Sequence, residues 1–256
     1  MSESVSEKVD RFCLYNRTMI AAAFAKRNRR YQGLPAKLIL CSIFDSLSIA
    51  AFPNENGVGK RYRQTLSDHT NWTDQSRVSL LNLIWVFDRM HTVPADFAQM
   101  KTWVEAEVST RFPTSSRMIS SHVNLNQDPE LDVVLIHWPL SQNGKPEKLE
   151  GLRPQDFTHR NLFWKYRNRL AHEFRLPGAG AESTFRFEDQ PYYQEVSTVT
   201  DINPVSRLVF DNRWELVYPT GFFVVTVKQA LDSLCVKYKS EGTSPFMQYY
   251  EGSSWL

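Results

Sequence analysis

Leu38-Ile39-Leu40-Cys41-Ser42-Ile43-Phe44-Asp45-Ser46-Leu47-Ser48-Ile49-Ala50-Ala51-Phe52 is apolar almost all round. A helix with no polar stripe belongs in the centre of a bundle, covered by other helices on every side. This stretch therefore sets a mainly α fold. Asp45 is its exception, because a buried carboxylate needs partners. Two kinds are open to it: an arginine or histidine of the helix it would then support, or a nearby backbone group or serine.

The segments on either side fit such a core. Residues 5–27 place Val9, Phe12, Cys13, Tyr15, Met19, Ile20 and Phe24 at helical spacing. They end in Lys26-Arg27-Asn28-Arg29-Arg30, which suits a helix C-terminus as well as an RNA contact. Residues 60–68, 74–90 and 96–111 continue as helices, with Pro94 punctuating the last two. Residues 109–127 read as loop, and 131–138 as an isolated short strand closed by Pro139 and the Asn143-Gly144 turn. Past the middle of the chain the pattern changes to short strands at 184–187, 192–199, 207–210 and 214–218, with Asp211-Asn212 as a tight turn between the last two. Residues 222–238 close the chain as an apolar helix. The expectation is one mainly α domain over 1–256, a helical bundle with a small antiparallel β hairpin or sheet before the C-terminal helix.

With 256 residues, 42% of them hydrophobic and 23% charged, the chain can bury a large core and is neither disordered nor fibrous in composition. A net charge of +2 does not by itself announce a nucleic-acid binder. Its distribution says more. From Arg153 to Arg175 six cations face only Asp156 and Glu173, a local +4 that leaves −2 for the rest of the chain. Cys13, Cys41 and Cys235 are widely spaced and odd in number, which fits reduced, buried thiols better than disulfides or a zinc site. The first ten residues are polar and acidic rather than a hydrophobic signal region. Lys37, Asp45, Lys228 and Asp232 break the most apolar runs. These features lead to the expectation of a soluble cytoplasmic protein.

The basic segment contains Lys165-Tyr166-Arg167-Asn168-Arg169-Leu170-Ala171-His172-Glu173-Phe174-Arg175. Its helix, residues 154–175, carries an inward stripe of Leu162, Phe163, Tyr166, Leu170 and Phe174 and ends at Leu176-Pro177-Gly178. Such a core helix has no need of Arg167, Asn168 and His172. Phosphodiester cleavage does need them: a group that titrates near neutrality and a group that holds phosphate charge.

Arg167-Asn168-Arg169-Leu170-Ala171-His172 resembles the Arg-polar-three-residues-His signature of the HEPN superfamily, α-helical proteins many of which are metal-independent endoribonucleases. Residues 37–47 are similar to the second core helix of bacterial HEPN-like proteins, and a hairpin followed by a last helix also occurs in some of them. The resemblance covers roughly 5–90 and 155–240, so a single HEPN-like domain would carry insertions at about 110–151 and 180–219. It implies RNA as substrate, a second copy of the chain as partner, no metal or other cofactor, and a toxin or antiviral effector regulated by an antitoxin or activator. His172 would act as general base on the 2′-hydroxyl or protonate the leaving 5′-oxygen. Arg167 would stabilise the phosphorane by bidentate donation, and Asn168 would position the phosphate or orient His172. The products would be a 2′,3′-cyclic phosphate and a 5′-hydroxyl. Some toxins of the family carry a tyrosine two positions after the histidine, where a nucleotidyltransferase antitoxin modifies it. Phe174 stands there in this chain, which puts that route of regulation in doubt.

Helix geometry adds a constraint. Five residues turn about 140°, so Arg167 and His172 do not share one face. Two copies meeting across a two-fold axis would bring one residue of each kind into each cleft.

Other residues point less sharply. His159 reads as a helix-start cap or a solvent-facing residue, and His69, His91, His122 and His137 are scattered without ligand spacing. Gly57-Val58-Gly59-Lys60 lacks the strand and the Ser/Thr of a phosphate loop, and the seven tryptophans read as core first. Two rival readings stand beside the nuclease. One is a non-catalytic HEPN-like module binding RNA or protein. The other is a structural domain in which Arg167 pairs with Asp45 and His172 is a satisfied core residue.

Overall fold

The computed structural model describes residues 3–25, 33–113, 121–175, 188–203 and 207–247. The fold is mainly helical with a small three-stranded antiparallel sheet. In chain order it runs α1 (Val5–Ala25), α2 (Gly33–Ala51), α3 (Val58–His69), α4 (Leu80–Asp88), α5 (Ala98–Arg111), β1 (His122–Asn124), α6 (Leu131–His137), α7 (His159–Glu173), β2 (Tyr192–Asn203), β3 (Arg207–Val217) and α8 (Thr220–Glu241).

The all-round apolar helix is α2, packed against α1, α3, α7 and α8 with Leu40, Cys41, Phe44 and Leu47 in the core. Among the described residues it is the one helix long and apolar enough to cross a membrane, and 56% of its span is buried by its neighbours. α8 supplies the second apolar column through Phe222, Phe223, Val227, Leu231 and Leu234. α7 joins them through Phe163, Tyr166 and Leu170.

α3 and α7 approach closely at Gly59, where an added Cβ would lie 2.9 Å from the Trp164 ring. Gly59 is therefore a packing glycine. α7 ends at Phe174, whose φ of 52° is left-handed and whose ring is exposed rather than part of the inward stripe.

Cys13 and Cys235 form a disulfide that joins α1 to α8, with Cα atoms 6.6 Å apart. That corrects the expectation of reduced thiols throughout. Chain spacing hides the pair because the two residues are 222 positions apart and meet only when the first and last helices pack. Cys41 remains free, and burial pushes its thiol far above the ordinary range.

Three other expectations are corrected. Residues 131–138 are not a strand: they form α6, where Val134 is buried and Ile136 exposed. A short β-branched run has no decisive period, and packing against α5 decides the matter. Residues 207–217 are one strand, not two separated by a turn. Asp211 and Asn212 sit within the ladder opposite Thr198 and Ser197. Residues 109–127 are not all loop, since α5 runs to Arg111 and β1 adds a strand at 122–124. The strand expected at 184–187 and the basic cluster at 26–30 lie outside the described residues.

The sheet order is β1-β2-β3, with Val123 opposite Tyr193 and Tyr193 opposite Leu216. Tyr193 and Val217 are buried and tie the sheet to the helices.

Candidate functional site

The start of α7 is clamped to the start of α4. Val78 and Thr158 form an isolated bridge, Ser79 N donates to the Phe157 carbonyl at 3.0 Å, and His159 N donates to the Arg77 carbonyl at 3.0 Å. Ser79 also caps α4 by accepting from Asn82 N.

Beneath this junction lies a fully buried polar cluster. Asp128 Oδ2 accepts from the Tyr193 hydroxyl at 2.6 Å, and Asp128 Oδ1 accepts from Leu80 N at 3.1 Å. His159 Nε2 is 2.8 Å from the same carboxylate and, facing it, acts as donor. Ser79 Oγ is 2.7 Å from the Tyr193 oxygen. Burial first, and then the Asp128 charge, hold the Tyr193 phenol well above its ordinary range. His159 therefore neither caps through its side chain nor faces solvent: it is wholly buried and anchors α7. No short motif marks Asp128, Tyr193 and Ser79, which is why chain reading passes over them.

Arg167 points from α7 towards α2. Its Nη2 forms an ion pair with Asp45, its Nη1 donates to Asn168 Oδ1 at 3.0 Å, and its guanidinium lies 5.2 Å from the Trp164 ring centroid. Only 15% of the Arg167 side chain and 21% of the Asp45 side chain are exposed. Burial raises the Asp45 carboxyl above its ordinary value, outweighing the hydrogen bond and charge of Arg167 that lower it. Asp45 Oδ1 and Arg167 Nε are buried without hydrogen-bond partners. Asp45 thus supports the motif helix, the first of the two arrangements open to it.

His172 occupies the last turn of α7, exposed and without a hydrogen bond or ion pair among the described residues. It is not a satisfied core residue. The fold brings Arg167 and Asn168 together and leaves His172 on another face of the same helix, so one protomer does not assemble all three at one point. Among the described residues no three of His, Cys, Asp and Glu converge as metal ligands.

The remaining candidates fall into place as structure. His69 Nδ1 is 2.9 Å from Ser233 Oγ, and His137 stacks on Trp103 at 4.3 Å. Trp72 and Trp138 are core, whereas Trp85 is 55% exposed and lines, with Trp214, a cleft beside α7. Comparison with family models, with curated proteins and with solved structures finds no significant match.

Proposed function

We propose that the chain is a metal-independent endoribonuclease of the HEPN type that works as a homodimer, a toxin or antiviral effector. The observation that carries this reading is the split presentation on α7: Arg167 braced by Asp45 and Asn168 on one side, His172 open on the other. Two copies of the helix meeting across a two-fold axis would unite the guanidinium of one and the imidazole of the other on one phosphate.

His172 would take the proton from a 2′-hydroxyl while O2′ bonds to phosphorus. The P–O5′ bond would break, and the 5′-oxygen would leave with a proton. Arg167 would offset charge gathering on the phosphorane oxygens. The products would be a 2′,3′-cyclic phosphate and a 5′-hydroxyl.

The test is incubation of purified protein with varied RNAs in EDTA, beside Arg167→Ala and His172→Ala variants, with molar mass measured in solution. Cleavage by the wild-type dimer, lost in both variants and on 2′-deoxy substitution at the scissile site, supports the reading. Equal cleavage by all three proteins, cutting by a strict monomer, or no cutting at all, overturns it.

A second reading is favoured by the Asp45–Arg167 pair itself. In a non-catalytic HEPN-like module the arginine would brace α7 and the exposed face would bind RNA or protein. Tight RNA binding by a folded wild type that never cuts would decide for it.

A further inference from the structure

On the side of α7 away from Arg167, a half-open cleft of about 930 Å3 lies between α4, α7 and β3. Counting from Lys165, Arg169 is about 40° round the helix and Arg167 about 200°, so the cleft and the Asp45 pair use opposite faces. The volume falls in the range of small-molecule sites.

Two kinds of group line it. Trp85, Tyr166 and Trp214 supply aromatic walls, and Trp214 is held by donating its indole N–H to the Phe112 carbonyl at 3.2 Å. Trp85 carries the Arg89 guanidinium 4.4 Å from its ring centroid and is still 55% exposed. An indole left half in water on a cleft wall is a surface that a planar ligand covers at a gain.

The cations divide into paired and unpaired. Arg213 is bonded to Glu215 at 3.0 Å and Arg175 to Glu173 at 2.5 Å. Lys165 and Arg169 both line the cleft, one helical turn apart, and neither has a carboxylate partner among the described residues. Lys165 Nζ instead donates to the Asp156 carbonyl oxygen at 3.2 Å. Burial first pulls the Lys165 ammonium below its usual value, and Arg169 adds to this while Asp156 opposes it. Two adjacent cations with no carboxylate at ion-pair distance among the described residues form an anion site.

An acidic peptide would satisfy these cations and leave the indole bare. An apolar ligand would do the reverse. A base joined to a phosphate satisfies both, because aromatic stacking and backbone charge are the two terms of single-strand recognition.

We propose that this cleft binds a nucleotide unit, its base against the indole walls and its phosphate on Lys165 and Arg169. The site stands apart from the ribonuclease reading, since it holds whether or not a strand is cut. The unit comes either as a free nucleotide or as one residue of a strand.

The test is calorimetric titration of the full chain with adenosine 5′-monophosphate, uridine 5′-monophosphate, inorganic phosphate and an eight-residue 2′-deoxyoligonucleotide. The deoxy strand presents no 2′-hydroxyl, so failure of cleavage leaves this measurement intact. Arg169→Glu is expected to weaken nucleotide and oligonucleotide binding at least tenfold. Trp85→Ala is expected to weaken both several-fold and leave inorganic phosphate unaffected. Both positions are exposed, and melting curves check that the variants fold. An oligonucleotide bound more than tenfold tighter than either mononucleotide assigns the cleft to a strand, and similar affinities assign it to a free nucleotide. Three results overturn the proposal: no binding of any nucleotide probe at millimolar concentration, binding unchanged by both substitutions, or inorganic phosphate binding as tightly as the nucleotides.

Discussion

Removing Arg167 and removing the charge of Asp45 have unequal consequences, and the inequality follows from burial. Arg167→Ala leaves a carboxylate that is about four-fifths buried, with Oδ1 already lacking a partner, and without the one cation that pairs with it among the described residues. Stripping one partner from a buried pair costs about 3–5 kcal/mol, and the residual exposure here places the cost near 3. Asp45→Asn is different. The amide oxygen still accepts from Arg167, which keeps Asn168 and the Trp164 face, while the desolvation of a charge disappears, so the cost is about 1 kcal/mol or less. The double variant no longer buries an unpaired carboxylate and is expected at about 1 kcal/mol, a coupling of about 2–3 kcal/mol.

Urea denaturation followed by circular dichroism measures this directly. With a slope of about 3 kcal/mol/M, Arg167→Ala lowers the midpoint by about 1 M and the double variant recovers most of that loss. Coupling below about 0.5 kcal/mol would refute the description of α7 as docked on α2 through this pair. The pH dependence has the matching sign. A carboxyl raised in the fold adds stability in acid that is lost as pH rises through its folded value. Asp45→Asn is expected to flatten that slope.

Tyr193→Phe removes one hydrogen bond to a buried carboxylate and one to Ser79, and is expected to cost about 2 kcal/mol in the same denaturation experiment. An unchanged midpoint would show that Asp128 is satisfied elsewhere. His69 is held below its ordinary value by burial and then by Lys237, with Asp68 opposing. Its contribution to stability is therefore full above the ordinary histidine value of about 6.5 and lost as pH falls from there through the lower folded value, a slope absent in His69→Asn. Reduction of Cys13–Cys235 opens a 222-residue loop, for which chain entropy sets a loss of about 5 kcal/mol as an upper figure. A melting temperature unmoved by dithiothreitol, with thiol titration confirming reduction, would show that the helices pack without it.

How legible the chain is depends on length and period. α1, α3, α7 and α8 can be read because apolar residues recur every three to four positions, and α2 because it is long and apolar almost all round. α6 cannot, since seven residues of Asp-Val-Val-Leu-Ile type fit a strand equally well. Nor can the continuity of β3, where Asp211-Asn212 has turn chemistry yet finds ladder partners in Ser197 and Thr198. Arg167, Asn168 and His172 are visible because their residue types are out of place on a core helix. Asp128 and Trp85 look ordinary in the chain.

Side-chain periodicity is a local property, so amino-acid order alone commits residues 38–52 to a buried helix and places Arg167 and His172 about 140° apart on another. Partnership is not local. That Asp45 meets Arg167, that Cys13 meets Cys235 and that Asp128 gathers His159 and Tyr193 follow from how the helices cross. Packing settled those encounters, because burying α2 against four other helices leaves few arrangements in which its one carboxylate and the chain's distant polar groups can be satisfied.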